Sequence, residues 1–262
     1  MAVVGFIGTG NMGSALARAA AKSAETARLL LSNRSPEKAE RLARELGAEA
    51  ADNRRVAAEA EYLFLAVKPQ YLDGMLDGIR NVLRARQDRF VVISMIAGRE
   101  LKTLDALLDG APVVRIMPNL PVSVGAGVTL LTAGASVTAE EKERVKRLLA
   151  ASGLVEELDE GLFDAASGVT GCGPAFAAMF VEALADGAVT CGLPRRAALQ
   201  YAAQMLKGTA ELLLQTGEHP GSLKDRVCSP AGSTIQGVRR LEQGAFRADV
   251  CEAVIAAYEK EF

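Results

Sequence analysis

Residues 5–13 read GFIGTGNMG and set glycines at positions 8, 10 and 13. Ahead of the first of them stands the apolar run AVVGFI (2–7); behind it a helical stretch extends from Asn11 to Lys22. Few arrangements restrict a fold as narrowly. The first glycine permits a tight strand-to-helix turn, the second lets main chain approach a pyrophosphate, and the third lets the helix pack close on the strand. The helix then begins with unpaired N–H groups that favour an anion. With strand and helix both in place, the spacing predicts a dinucleotide-binding unit at the head of the chain.

The alternation continues. ARLLLS (27–32), EYLFLAV (61–67), RFVVIS (89–94) and APVVRIM (111–117) read as strands, with Pro36 to Leu46 among the helices between them. Short apolar strands separated by helices of roughly 10–15 residues imply a parallel sheet covered on both faces. GAGVTLLTA (125–133) and a helix from Thr138 to Ala151 extend it. Beyond about Glu160 the strands cease. Residues 173–192, 194–217 and the stretch from Ser233 onward read as helices, with Pro174 and Pro194 at starts and Gly192 and Gly217 at ends. The fold class is therefore α/β: a Rossmann dinucleotide-binding domain over 1–160, then an all-α domain over 161–262. The 173–192 helix is apolar nearly all round and needs cover on most of its surface. A helical domain of roughly 100 residues supplies that poorly by itself, which points to pairing with a second copy.

The second strand bears on the cofactor. An NAD site ordinarily carries Asp or Glu there, on the ribose 2′-OH. Here the strand runs into Ser32, Asn33, Arg34 and Ser35. Arg34 can meet a 2′-phosphate with charge-assisted hydrogen bonds, so NADPH is expected over NADH. Lys68-Pro69, SMIAG (94–98) and MPNLP (117–121) end later strands at the same sheet edge, where ligands of such folds bind. Lys68 reads equally well as a surface lysine before proline. A formal net charge of −2 gives no basic excess for nucleic acid. No apolar run reaches the ~20 residues of a membrane span, and no basic leader precedes the glycines, so a cytoplasmic enzyme is expected. The four cysteines are scattered and His219 is the one histidine; this disfavours a metal site or a histidine-based triad.

The stretch CSPAGSTIQGVRRLEQG (228–244) sets Pro, Gly, Ser and Thr ahead of an amphipathic helix. Such residues cap helices, and they also leave room for an anion at the helix start. Main-chain N–H groups of Ala231 to Thr234 could hold an anion there.

GFIGTGNMG, FLAVKPQ, VVRIMPNLP, TGCGPAF and above all HPGSLKDRVCSPAGSTIQGVRRLE occur in the order found in pyrroline-5-carboxylate reductases. The whole chain resembles that family. The resemblance implies NAD(P)H-dependent reduction of the C=N bond of 1-pyrroline-5-carboxylate to L-proline, the last step of proline biosynthesis. It implies a helical C-terminal dimerisation domain, with homodimers that often assemble further. It places cofactor contacts at Phe6, Ile7, Gly8, Thr9, Gly10, Asn11, Met12, Arg34, Ser35, Asn53, Ala66, Val67, Lys68, Pro69, Met95 and Ala97. It places substrate contacts at Ser229, Ala231, Gly232, Ser233 and Thr234, with Thr234 as the residue nearest the chemistry.

The chain departs from the family pattern at Leu120, where Thr is usual, at Thr170, Cys172 and Phe176 in TGCGPAF, and at Arg226. These bear on substrate contacts rather than on the reaction. A β-hydroxyacid dehydrogenase shares the first half of this layout but uses a lysine on the long helix that follows. Pro174 to Cys191 contains none. A reductase for a related cyclic imine carboxylate, and a non-catalytic NADP(H) sensor, are the alternatives that the residues leave open.

Overall fold

The computed structural model describes residues 1–259. Its first part alternates β1 (Ala2–Ile7), α1 (Asn11–Ala21), β2 (Thr26–Ser32), α2 (Pro36–Leu46), β3 (Glu49–Ala50), α3 (Asn53–Glu59), β4 (Tyr62–Leu65), α4 (Leu72–Ala85), β5 (Val91–Ser94), α5 (Leu101–Leu107) and β6 (Val113–Pro118). Then come β7 (Gly127–Ala133), α6 (Ala139–Leu149), β8 (Gly153–Glu157) and α7 (Phe163–Thr170). Helices α8 (Gly173–Thr190), α9 (Arg195–Thr216), α10 (Pro220–Val227), α11 (Ser233–Gln243) and α12 (Phe246–Glu259) follow. The chain divides into two compact units, Met1–Ser167 and the residues from Gly168 onward.

The eight strands form one sheet in the order β3-β2-β1-β4-β5-β6-β7-β8. Side-chain alternation explains how it is covered. Phe6 and Phe64 point to one face, stacked with ring centroids 4.3 Å apart, among Leu16, Val145 and Leu148. Their neighbours Ile7 and Leu63 join the other face, with Val56, Leu76, Ile79 and Leu104. With apolar positions on both sides of the pleat, the inner strands read as continuous hydrophobic runs.

Not every pairing is parallel. β7 runs antiparallel to β6, a departure from the parallel sheet expected. The link between them is a short 3-10 turn over Leu120–Val124, and a parallel return needs a crossover of a dozen or more residues. Asn119 secures this turn: its Oδ1 accepts the Val128 N–H at 2.8 Å and its carbonyl accepts the Val122 N–H at 3.2 Å. β8 then returns parallel to β7 by way of α6.

In the second unit, α8 has Ala185 as its buried residue, and α9 has Ala198 and Ala202. By length and composition the helical run Glu160–Thr190 holds an 18-residue window of mean hydropathy 1.3, apolar enough to cross a membrane. Glu182 and Asp186 are the acids among the Ala, Val, Met and Phe of α8. The run is not one rod, because α7 and α8 are broken at Gly171 and Cys172.

Candidate active site

The first unit brings the ends of β2, β1, β4 and β5 to one edge, and hydrogen bonds stitch their loops together. The Gly8 N–H donates to the Ser32 carbonyl at 2.9 Å, Ala66 to Ile7 at 2.9 Å, and Met95 to Leu65 at 3.2 Å. Gly8 has φ +106°, and a Cβ there would stand 2.4 Å from the Ala66 carbonyl oxygen. A Cβ on Gly13 would stand 2.2 Å from the Gly8 carbonyl oxygen. Gly10 differs from both: nothing lies within 4 Å of the Cβ it lacks. Thus Gly8 makes the turn, Gly13 lets α1 approach it, and Gly10 leaves open space at the helix start. No side chain caps α1, so its first N–H groups remain available to a ligand.

Phe6 and Ile7 are buried with their side chains in the core, so only their main chain is at this edge. Asn11 is exposed and Met12 half-buried at the opening of α1. Thr9 is 5% exposed, and its buried Oγ1 has no hydrogen-bond partner. Its N–H donates to Asn33 Oδ1 at 3.2 Å, while Asn33 Nδ2 donates to the Ser35 carbonyl at 3.2 Å. Asn33 therefore ties the glycine loop to the loop after β2. Asn53 opens α3 and accepts a hydrogen bond from the Ser32 hydroxyl.

A cleft of about 640 Å³ lies here, lined by Ser32, Asn33, Arg34, Asp52, Asn53 and Arg54 among others. Arg34 is exposed, with its guanidinium carbon 4.5 Å from the Tyr71 ring centroid. The cation holds the Tyr71 phenol below its ordinary value, mainly by hydrogen bonding and then by Coulomb attraction. Ala66 and Val67 are half-buried, and Lys68 and Pro69 exposed, just beyond β4. Met95 is half-buried and Ala97 exposed beyond β5. The residues present fit a phosphorylated dinucleotide: an unpartnered buried hydroxyl, open space over Gly10, an uncapped helix start, and two arginines on the adjoining cleft. Sequence reasoning passed over Arg54, Tyr71 and the linking role of Asn33. The adjacency of Arg54 to Asn53 was a usable signal, whereas Tyr71 lies far from Arg34 in sequence.

The second unit places Ser229 to Thr234 immediately before and at the start of α11, with Gly232 as N-cap and no side-chain cap. The small polar residues thus leave the first N–H groups of the helix without a side-chain cap. Gly232 is a partial exception, because its N–H donates to the Ser229 carbonyl at 3.0 Å. The main-chain donors facing outward are then those of the first turn, from Ser233. Ala231 adopts φ +58°, a left-handed conformation uncommon for a residue with a Cβ and frequent at functional loops. A Cβ on Gly232 would stand 2.3 Å from Ser229 Oγ, so the loop closes tightly there. Ser229, Ser233 and Thr234 are exposed. His219 is also exposed, and its Nδ1 accepts the Gly221 N–H at 3.0 Å, capping α10. The departures at Leu120 and Arg226 fall on exposed side chains, and Cys172 is half-buried.

Two family descriptions match the chain: "NADP oxidoreductase coenzyme F420-dependent" over residues 3–98 and "Pyrroline-5-carboxylate reductase dimerisation" over residues 160–261. A pyrroline-5-carboxylate reductase from Methanosarcina acetivorans is 40% identical over 261 residues, covering 98% of this chain and 96% of that protein. The solved structure of a pyrroline-5-carboxylate reductase from Coxiella burnetii superposes with a TM-score of 0.91 at 30% identity, over 98% of this chain and 96% of that one. The Plasmodium falciparum enzyme, solved with NADP bound, gives 0.84 at 29% identity, over 98% and 96%. Sequence identity at this level across nearly the full length, together with the glycine edge and the uncapped α11 start, has one consequence: the chain belongs to the pyrroline-5-carboxylate reductase family.

Proposed function

We propose that this chain reduces the C=N bond of 1-pyrroline-5-carboxylate to give L-proline, with NADPH as the preferred reductant and NADH as the lesser one. The observation that carries the substrate side is the start of α11. A run rich in Ser, Gly and Thr stands before a helix and does not cap it, and a carboxylate is a suitable acceptor for the N–H groups left over. On the cofactor side the support is the missing acid after β2, with Arg34 and Arg54 on the cleft.

NADPH, when bound, supplies the hydride taken up by the imine carbon. The protein's own contribution is modest in acid–base terms. A protonated cyclic imine is already electrophilic, so the chain must bind, orient and exclude water rather than move several protons. N–H groups of the first turn of α11 hold the substrate carboxylate. The Thr234 hydroxyl accepts from the iminium N–H and orients it; after reduction that nitrogen is the amine of proline. Glycine at positions 8 and 10 and the hydroxyl of Thr9 receive the pyrophosphate, and Arg34, Ser35 and Asn53 the adenosine end. Lys68 and Pro69, with Met95 and Ala97, border the nicotinamide end.

A homodimer through the helical unit completes this reading, with further assembly of dimers as an extension of it and the cytoplasm as its setting. Its support is the exposure of large apolar side chains on helices α8 and α9, among them Met179 and Tyr201.

The test is NADPH oxidation followed at 340 nm with 1-pyrroline-5-carboxylate, repeated with NADH and with the six-membered ring analogue. Turnover of the five-membered ring with NADPH above NADH is expected. Preference for the larger ring would move the substrate assignment to a related imine. NADPH binding without any turnover would mean a sensor. Replacing Thr234 by Val should lower kcat/KM about tenfold while leaving NADPH affinity unchanged; equal loss in both would remove Thr234 from the site.

A further inference from the structure

Arg34 and Tyr71 come from different parts of the sheet edge. Arg34 lies two residues past β2, and Tyr71 ends the 3-10 turn Pro69–Tyr71 that follows β4. β1 lies between those two strands in the sheet, so the pair reaches across the strand that feeds the glycine loop. The guanidinium carbon sits 4.5 Å from the ring centroid, well inside the range in which a cation is attracted to an aromatic face. Tyr71 meets Arg34 through its ring and through its phenol oxygen, and Arg34 also lines the 640 Å³ cleft.

The geometry has a chemical consequence. A guanidinium lying over a ring engages its flat face and, beyond the donor given to the phenol, keeps its other in-plane N–H donors for a ligand. Those donors are the ones that grip a phosphate two at a time. An exposed arginine without support must give up considerable rotamer freedom on meeting its ligand. One already lying on a ring has given up part of it beforehand, and so loses less on binding.

We propose that Tyr71 is a cofactor-specificity residue: its ring holds the Arg34 guanidinium in place for the 2′-phosphate that distinguishes NADP(H) from NAD(H). The inference rests on the reading of Arg34 as the 2′-phosphate ligand. Tyr71 is a positioning residue, acting through Arg34 chiefly with its ring and also with its hydroxyl.

Calorimetric titration of the full chain with NADP⁺ and with NAD⁺, free of substrate, tests it without recourse to turnover. Tyr71 is 45% exposed, and unchanged NAD⁺ binding would itself show that each variant is folded. Y71A should weaken NADP⁺ binding about two- to fivefold, the strength of one exposed cation–π contact, and leave NAD⁺ unchanged. Y71F, which keeps the ring and loses the phenol's bond to Arg34, should weaken NADP⁺ binding less than Y71A does and leave NAD⁺ unchanged. R34A should abolish most of the preference for NADP⁺, and Y71A added to R34A should change nothing further. If Y71A weakens both cofactors alike, or costs as much in the R34A background as alone, Tyr71 acts on the shared part of the dinucleotide and the proposal falls. Loss in Y71F equal to that in Y71A would also overturn it, by assigning the effect to the hydroxyl. If R34A leaves the preference intact, the reading of Arg34 fails first and takes the role of Tyr71 with it.

Discussion

Three glycines in six residues perform three different tasks, and substitution separates them. Alanine at Gly13 would place its methyl 2.2 Å from a main-chain oxygen, and backbone cannot step aside as a flexible side chain can. G13A should therefore cost about 2 kcal/mol or more, a clash in excess of the propensity gained by alanine in a helix. Alanine at Gly10 meets nothing within 4 Å. Its effect on stability, as an N-cap, should stay within about 1 kcal/mol, while NADPH affinity falls about tenfold or more because the methyl occupies the approach of the pyrophosphate. Urea denaturation and cofactor titration on both variants check this; a G10A chain that binds NADPH normally would remove the glycine loop from the site. The spacing made these roles legible in the sequence. The partner of Thr9 was not, because Asn33 reads as a mere replacement for an acid until its amide is seen bridging Thr9 and Ser35.

Elements were legible where hydrophobic pattern alone decides them. β1 and α2 have the bounds that their apolar runs and end signals suggested, because Gly8 ends the one, and Pro36 and Gly47 bracket the other. β8 was not read, since Gly153–Glu157 ends in two glutamates and stands at the sheet edge, where one strand partner suffices. β3, with two residues, is too short for any pattern. The start of α6 is set by charge as much as by pattern. Thr138 and Glu141 form a reciprocal capping box, and Arg89 donates to both Glu141 carboxylate oxygens at 2.7 and 2.8 Å. Chiefly through Arg89, and also through the N–H and hydroxyl of Thr138, the Glu141 carboxyl is lowered from 4.5 to about 2. A depressed carboxylate stabilises the fold above its unfolded pKa and ceases to do so as pH falls through its folded one. Glu141 should thus contribute fully at pH 7, and its contribution should decline from about pH 4.5 down to about 2. Because the Arg89 side chain is 52% exposed, screening reduces this to about 1–2 kcal/mol. E141Q should be destabilised by that amount at neutral pH and match the parent near pH 2; a difference independent of pH would contradict the assignment. Arg115 illustrates a second anchor that only structure reveals. It is 9% exposed, pairs with Glu160 at 2.7 Å and lies on the Phe163 ring at 4.9 Å. Glu160 also accepts the Leu101 N–H. E160A leaves both groups unpaired and should cost about 3 kcal/mol in urea denaturation.

For the molecule as a whole, the decisive contrast is between the interiors of its two units. Among the described residues beyond Ser167 the buried hydrophobic ones are Ala185, Ala198, Ala202 and Leu223, with none of them in α11 or α12. Meanwhile Met179, Tyr201, Met205, Leu214 and Val250 stand 46–84% exposed in the same unit. So few small buried side chains cannot offset the entropy of ordering helices of this length. The helical unit must gain its cover from outside the chain, and a second copy is the occupant that the family's dimerisation match indicates. The apolar composition of 173–192 already announced the need for cover, but which side chains remain bare is decided by how α8 packs on α9, which composition does not reveal. If dimerisation supplies the missing core, stability is tied to association, and the midpoint of thermal unfolding must rise with protein concentration by mass action. Sedimentation at micromolar concentration should give a species of at least twice the 27.5 kDa chain mass. M179E, which puts a charge at a side chain 68% exposed in the isolated chain, should lower both the association constant and the unfolding midpoint, with the loss in midpoint shrinking as concentration rises. A chain that sediments as a monomer and unfolds at one temperature across a hundredfold range of concentration would mean that the bare helices are stable uncovered, and the dimer would have to be abandoned.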